Sequence, residues 1–371
     1  MKGSTQKLYE VALVMLPGVG AVLAKQLVSY CGSAEQVFRT PRGKLLKVPG
    51  IGEKIAESLL QPAEALKRAE AELAKAGQHG ADLRFYTDPN YPTRLRELAD
   101  APALLYAQGN ADLGAARTLA IVGTRKATEY GRQVTDQMVE GLKKYNPLIV
   151  SGLAYGIDIY AHRAALKHGL ATVGVLGSGL DVVYPHAHRG TATQMLAQGG
   201  LLTEYPFGTA PDAPHFPSRN RIIAGLADAV LVVEAAASGG ALITAEIADG
   251  YHREVFAVPG SLHNPASEGC HWLIKNHKAH LVTSADDLAY LMQWETGPAP
   301  AKASKKLTAI PPGLPPDEAT VLGLLVQQPE MQLDDIGWQS QLGVSRAAVA
   351  LLSLEFQGLV KSLPGKRYAR T

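Results

Sequence analysis

Cysteine is nearly absent from this sequence: Cys31 and Cys270 are the only two among 371 residues. Thiols so few and so far apart exclude a disulfide framework. Long apolar runs are lacking too. None approaches the roughly 20 residues a bilayer demands, so no membrane partner is expected. The opening Met1-Lys2-Gly3-Ser4 has no charged-then-apolar layout of a secretion signal, and a cytoplasmic location is the expectation. Nor is there an excess of one charge, because 36 basic and 34 acidic residues leave a net charge of +2. Any nucleic-acid partner would have to be met by a local basic patch. What is plentiful is apolar residue, 46% of the chain, enough at this length for two or three domains with real cores.

Between Thr118 and Ser261 one pattern recurs: a short apolar run, a glycine-rich turn, then a helical period. Strands alternating with helices predict an α/β fold, an extended Rossmann-like parallel sheet with its ligand at the strand C-termini. This central domain spans 83–294. Residues 295–316 are too rich in Pro, Ala and Lys to pack a core and read as a linker. Residues 317–371 carry the pattern of a winged helix-turn-helix, with a helix from Gly343-Val344-Ser345 and a wing over 360–368. Residues 1–82 are helical and internally repeated: Leu16-Pro17-Gly18-Val19-Gly20 with Ala24 and Leu27 matches Val48-Pro49-Gly50-Ile51-Gly52 with Ala56 and Leu59. The repeat resembles paired helix-hairpin-helix elements of a SAM-like domain, whose turns can offer N–H donors to a phosphate or simply pack.

The central loops specify a ligand class more by what they omit. The first turn, Gly123-Thr124-Arg125-Lys126, is neither a dinucleotide fingerprint nor a Walker loop. Gly177-Ser178-Gly179 forms a second cradle, and Ser151-Gly152 leads to Asp158 at a helix start. Such turns suit phosphate, and Arg125 supplies a fork of donors for a backbone phosphate. Further on, Phe216 stands beside Arg219, Asn220 and Arg221. An aromatic face near cationic forks suits single-stranded polynucleotide, although Asn220 and Arg221 could equally tie the loop to the sheet.

Taken with Tyr184-Pro185, Ser238-Gly239-Gly240-Ala241-Leu242-Ile243-Thr244 and Pro259-Gly260, these motifs run in an order that resembles the DNA-processing protein A (DprA/Smf) family over about residues 85–290. The resemblance implies a single-stranded DNA-binding protein that forms homodimers, protects DNA entering by natural transformation, loads the RecA recombinase, and needs neither cofactor nor catalytic turnover. By the same resemblance Gly123, Thr124, Arg125 and Lys126 hold phosphate. Gly177, Ser178 and Gly179 line the same pocket, His186 and Arg189 lie in the loop after Tyr184-Pro185, and Phe216 with Arg219–Arg221 flanks the strand. His188 stands where the family has Asn, so a contact from that loop is expected to be weaker or pH-dependent. A second departure puts His271 in place of Asn and Lys278-Ala279 in place of Gly-Ala.

Other chemistries fit less well. Cys270, His271, His277, His280 and His263 could in principle ligate zinc, but their spacing matches no standard site. An enzyme reading sets Ser238–Glu246 beside the glycine-rich motif of lysine-decarboxylase-like phosphoribohydrolases, with Glu246 acting on a ribosyl bond and Asp158 in support. Against it, Leu242-Ile243 replaces the Gly-Thr of that motif. A sequence-specific transcription factor would want Arg, Asn, Gln or Lys early in the recognition helix, where this chain has Ser345, Arg346 and alanines. Nonspecific DNA contact through Lys361, Lys366, Arg367 and Arg370, or protein contact, fits the winged helix better than operator reading.

Overall fold

A computed structural model describes residues 2–294, 314–328, 330–363 and 367–370, so most of the expected linker and Lys366 of the wing lie outside the described residues. Met1–Ala299 form one compact unit and Pro300–Thr371 a second.

The first unit opens with helices α1 (Lys2–Val14), α2 (Ala21–Cys31), α3 (Ala34–Arg39), α4 (Arg42–Leu45), α5 (Glu53–Leu60) and α6 (Ala63–Gln78). The repeated motif sets their geometry. Gly18 and Gly50 both take φ of +83°, a conformation that a β-carbon disfavours, and Gly20 and Gly52 then cap α2 and α5. Ala24 and Leu27 face inward from α2 as Ala56 and Leu59 do from α5. The packing is reciprocal: Gly18 abuts Ile55 and Gly50 abuts Leu23, so each turn rests on the other copy's helix.

The chain then enters a nine-stranded sheet in the order β1-β2-β6-β5-β4-β3-β7-β8-β9. β1 (Asp82–Phe85) and β2 (Leu104–Gly109), with α7 (Thr93–Arg96) between them, add antiparallel to one side. The remaining strands pair in parallel: β3 (Thr118–Val122), β4 (Leu148–Ser151), β5 (Thr172–Val175), β6 (Gly199–Thr203), β7 (Ala229–Val232), β8 (Glu254–Ala257) and β9 (His280–Leu281). Helices α8 (Glu129–Leu142), α9 (Ile157–His168), α10 (Arg189–Gln198), α11 (His215–Leu226), α12 (Gly240–Gly250), α13 (Glu268–Lys275) and α14 (Ala285–Leu291) cover the faces. Alternation along β3 divides the core, because Leu119 and Ile121 pack with α8, α9 and α14 whereas Ala120 and Val122 pack with α11 and α12.

The helical module is fastened to this sheet and not merely joined to it. Core side chains of α1, α2 and α5 continue into those of β1, β2 and β6. Buried Glu72 of α6 accepts the Phe207 N–H at 2.7 Å and hydrogen-bonds the Tyr106 hydroxyl. His79 stacks on Phe207 at 5.0 Å.

The second unit contains α15 (Pro316–Gln327), α16 (Leu333–Gln339) and α17 (Gly343–Phe356), with a small sheet in the order β10 (Glu330–Gln332), β12 (Arg367–Arg370), β11 (Val360–Leu363). Val321, Leu325, Ile336, Leu351 and Leu354 make its core, the arrangement of a winged helix.

Replacing Glu72 with Ala strands a buried N–H and a buried hydroxyl, with an expected loss of about 1–3 kcal/mol. The urea midpoint of full-length Glu72→Ala should fall accordingly. An unchanged midpoint would mean the bond contributes nothing to holding the module.

Candidate nucleic-acid interface

From β3 the chain builds β4, β5 and β6 on one side, then returns to lay β7, β8 and β9 on the other. At such a switch the loops leaving the two central strands diverge, and a crevice opens at their C-terminal ends. Here it measures about 810 Å³. Gly123–Lys126 after β3 form one wall, Phe216, Pro217, Arg219 and Asn220 of α11 the floor, and Ser238–Gly240 at the start of α12 the opposite wall.

A buried carboxylate fixes the first wall. Glu234, just past β7, accepts the Thr128 N–H at 2.9 Å and the Thr128 hydroxyl at 2.5 Å, while its own carbonyl accepts the Thr124 N–H at 2.7 Å. With both ends of the turn held, Arg125 and Lys126 project outward, and neither forms an ion pair with a described residue. The Arg125 guanidinium lies 5.5 Å from the centre of the Phe216 ring, and Tyr184 leans on that ring at 5.8 Å. Tyr155 and Tyr184 are half exposed around a smaller recess that Arg125, Gly177 and Phe216 also line. A cation over an aromatic face, flanked by two tyrosines, can take a phosphate and a base side by side.

Several expected ligand contacts are turned inward. The segment read as a loop is helical: α11 begins at His215, which puts Arg219 and Asn220 on its buried side. Arg219 is 4% exposed and its Nη1 donates to the carbonyls of Gly152, at 2.5 Å, and of Val175. Its guanidinium fills the space a β-carbon on Gly152 would need. Burial lowers its pKa to about 10 and raises that of neighbouring Asp158, whose carboxylate accepts the Gly152 N–H at 3.1 Å. Asn220 donates to the Gly240 carbonyl at 3.3 Å, and Arg221 pairs with Glu204 at 2.6 Å, so both tie α11 to its surroundings. Ser178 donates its hydroxyl to Val182, and the Gly179 N–H goes to the Thr209 carbonyl at 3.0 Å. Gly179 therefore packs behind the recess that Gly177 and Ser178 line, because its one donor is used within the protein.

The loop after Tyr184-Pro185 also departs from expectation. His188 is buried and its Nδ1 meets the Leu153 carbonyl at 2.7 Å, so it holds the neighbouring loop and makes no outward contact. His186 and Arg189 are exposed and do not line the crevice. Cys270 is buried against the Val232 carbonyl, His271 bonds the Gly260 carbonyl, and no group of three or more metal-ligating side chains occurs among the described residues. Glu246 is exposed on α12 and lies outside the crevice lining. The residues that sequence reading left out of the site are Tyr155, Tyr184 and the Ser238-Gly239-Gly240 turn, where a Ser-Gly-Gly run ahead of a helix was the available signal.

Comparison with known proteins agrees along the whole chain. The model of DNA recombination-mediator protein A matches residues 82–293, the DprA winged helix domain 305–366, and the SAM-like helix-hairpin-helix tandem 10–65. Protein Smf of a Synechocystis strain is 34% identical, with 99% of each chain covered. DNA processing protein DprA of Streptococcus pneumoniae is 40% identical over 66% of this chain and 91% of its own. The X-ray structure of the S. pneumoniae protein superposes with a TM-score of 0.64 at 36% identity, covering 78% of this chain and 98% of that one. A structure of DNA processing protein A from Helicobacter pylori, described for its unique single-stranded DNA binding mode, gives 0.53 at 28% identity, over 58% of this chain and 97% of that one. No helix among the described residues is long and apolar enough to cross a membrane.

Beneath the crevice His162 of α9 is fully buried, its Nδ1 2.7 Å from the Thr172 hydroxyl, which itself donates to the Ile149 carbonyl. Burial, with Arg219 nearby, pushes the imidazole down to about 3 from 6.5, so it stays neutral when folded. Between those two values the unfolded chain binds the extra proton, and stability falls as pH falls. The expected slope from this group is about 1.4 kcal/mol per pH unit below 6.5. Urea unfolding at pH 7 and pH 5.5 should show a smaller acid loss for His162→Gln than for the parent chain; equal losses would remove His162 as the cause.

Proposed function

The chain belongs to the DprA/Smf family of DNA-processing, recombination-mediator proteins, and we propose that it binds single-stranded DNA across the β3/β7 crevice as a homodimer. In this reading it protects DNA entering by natural transformation and loads the RecA recombinase onto it, with no cofactor and no catalytic turnover. The observation that carries the reading is Arg125: an exposed guanidinium with no ion pair to a described residue, on a braced turn, over the face of Phe216. A phosphate on Arg125 sets the adjoining base against the Phe216–Tyr184 wall, which requires an unpaired base with its face free. The H. pylori relative's described single-strand binding supports the same ligand class. The phosphoribohydrolase reading is not favoured, since Glu246 lies off the crevice and Asp158 is buried in holding Gly152.

Fluorescence anisotropy of a labelled single strand, at two salt concentrations with duplex as competitor, tests this directly. Binding should favour the single strand and weaken with salt; absent or duplex-preferring binding would end the proposal. Arg125→Ala should cost about 1–3 kcal/mol and flatten the salt dependence by roughly 0.7 in log–log slope, the share of one phosphate. Phe216→Ala should cost about 1–3 kcal/mol of stacking with the slope unchanged. Equal slopes in the Arg125 variant and the parent would take the arginine out of the phosphate path.

A further inference from the structure

The outward side of α17 is apolar. Ser345, Val349, Leu352 and Phe356 fall at i, i+4, i+7 and i+11, on one face, with Val349 70%, Leu352 54% and Phe356 85% exposed. In a helix-turn-helix this is the face that reads a groove, yet it holds no cation. The nearest, Arg346, is chelated by Asp317 at 2.7 and 2.8 Å. An apolar stripe of this exposure on the last long helix of a soluble unit marks a surface for protein.

The spacing identifies the occupant. The four positions alternate as the d and a sites of two successive heptads, the seam of a helix pair. In an antiparallel pair each a residue meets a d residue of its partner. Val349 then meets Leu352, and the large Phe356 meets the small Ser345, so both layers have complementary volume. A parallel pair would set Phe356 against Phe356 and leave Ser345 facing Ser345. The flanks agree with the antiparallel register, since Arg346 comes beside Ser353 and Glu355 beside Ala348, with no like charges opposed. A stripe that complements itself when reversed is what an isologous two-fold contact requires. We propose that α17 is a self-association surface, pairing antiparallel with α17 of a second copy of this chain through Val349–Leu352 and Phe356–Ser345 layers. The contact uses none of the residues that line the β3/β7 crevice.

Two measurements on the full chain decide it. In sedimentation velocity over a concentration series, Val349→Glu and Leu352→Lys should each raise the assembly midpoint about tenfold, as expected for a lone charge in an apolar layer. The double variant should recover most of it, because Glu at 349 then faces Lys at 352 of the partner. Circular dichroism checks folding at these exposed positions. In a Cys31→Ser background, Ser345→Cys chains mixed with Phe356→Cys chains should join through a short thiol cross-linker, and neither alone should. Assembly indifferent to both charges, a double variant no better than the singles, cross-linking of Ser345→Cys with itself, or loss of duplex DNA binding without loss of assembly would each overturn the proposal.

Discussion

The site depends on one buried cation. Arg219 reaches from α11 to the carbonyls of Gly152 and Val175, the ends of two parallel strands, while Asp158 on α9 holds the N–H of the same Gly152. A guanidinium taken out of water is tolerable only where carbonyls and a carboxylate surround it, so its presence dictates its neighbours. Gly152 can carry no side chain there, the β4 loop must turn its carbonyl inward, and α11 must lie across the strand ends. The floor of the crevice is thus set by electrostatics before any ligand arrives.

A consequence is a division of labour among residues that look alike in sequence. Donors that could serve a phosphate, such as Ser178, Gly179 and Asn220, are used within the protein to hold the loops. What stays available includes Arg125 and Lys126 on a turn clamped by Glu234, with Phe216, Tyr184 and Tyr155 around them, and the exposed Ser238-Gly239-Gly240 turn on the opposite wall. Broad π faces beside a cation are good at accepting any stacked base.

The helical module reaches this site through structure. Glu72 holds the Phe207 N–H; Thr209, two residues on, accepts the Gly179 N–H; and Asp181 accepts that of Gly208. The segment 206–209 is therefore pinned from the helical module on one side and from the glycine turn beneath the recess on the other. The helical module, through α6, thus helps to set the turn behind the recess without lining it.

Much of this was legible because it rests on period and turn chemistry. The all-apolar β3, the duplicated Pro-Gly-x-Gly and the Gly-Thr-Arg-Lys turn each announce their local structure, and the order of motifs announces the sheet. Direction was harder. Arg125 and Arg219 are both arginines among glycines and aromatics, yet one faces solvent and the other the core. The distinction lies in helical period: Arg219, Ile222, Ile223 and Leu226 are spaced i, i+3, i+4 and i+7 and are all buried. Read as a helix, the segment assigns Arg219 to the apolar stripe and Arg221 off it, whereas read as a loop it treats both as free. Pro217 stands in the first turn of this helix, where a missing N–H costs nothing. His188 gave no such signal. Its inward turn follows from Leu153 adopting a φ of +57°, which leaves a carbonyl in need of a donor, and that demand arises only once the chain has folded.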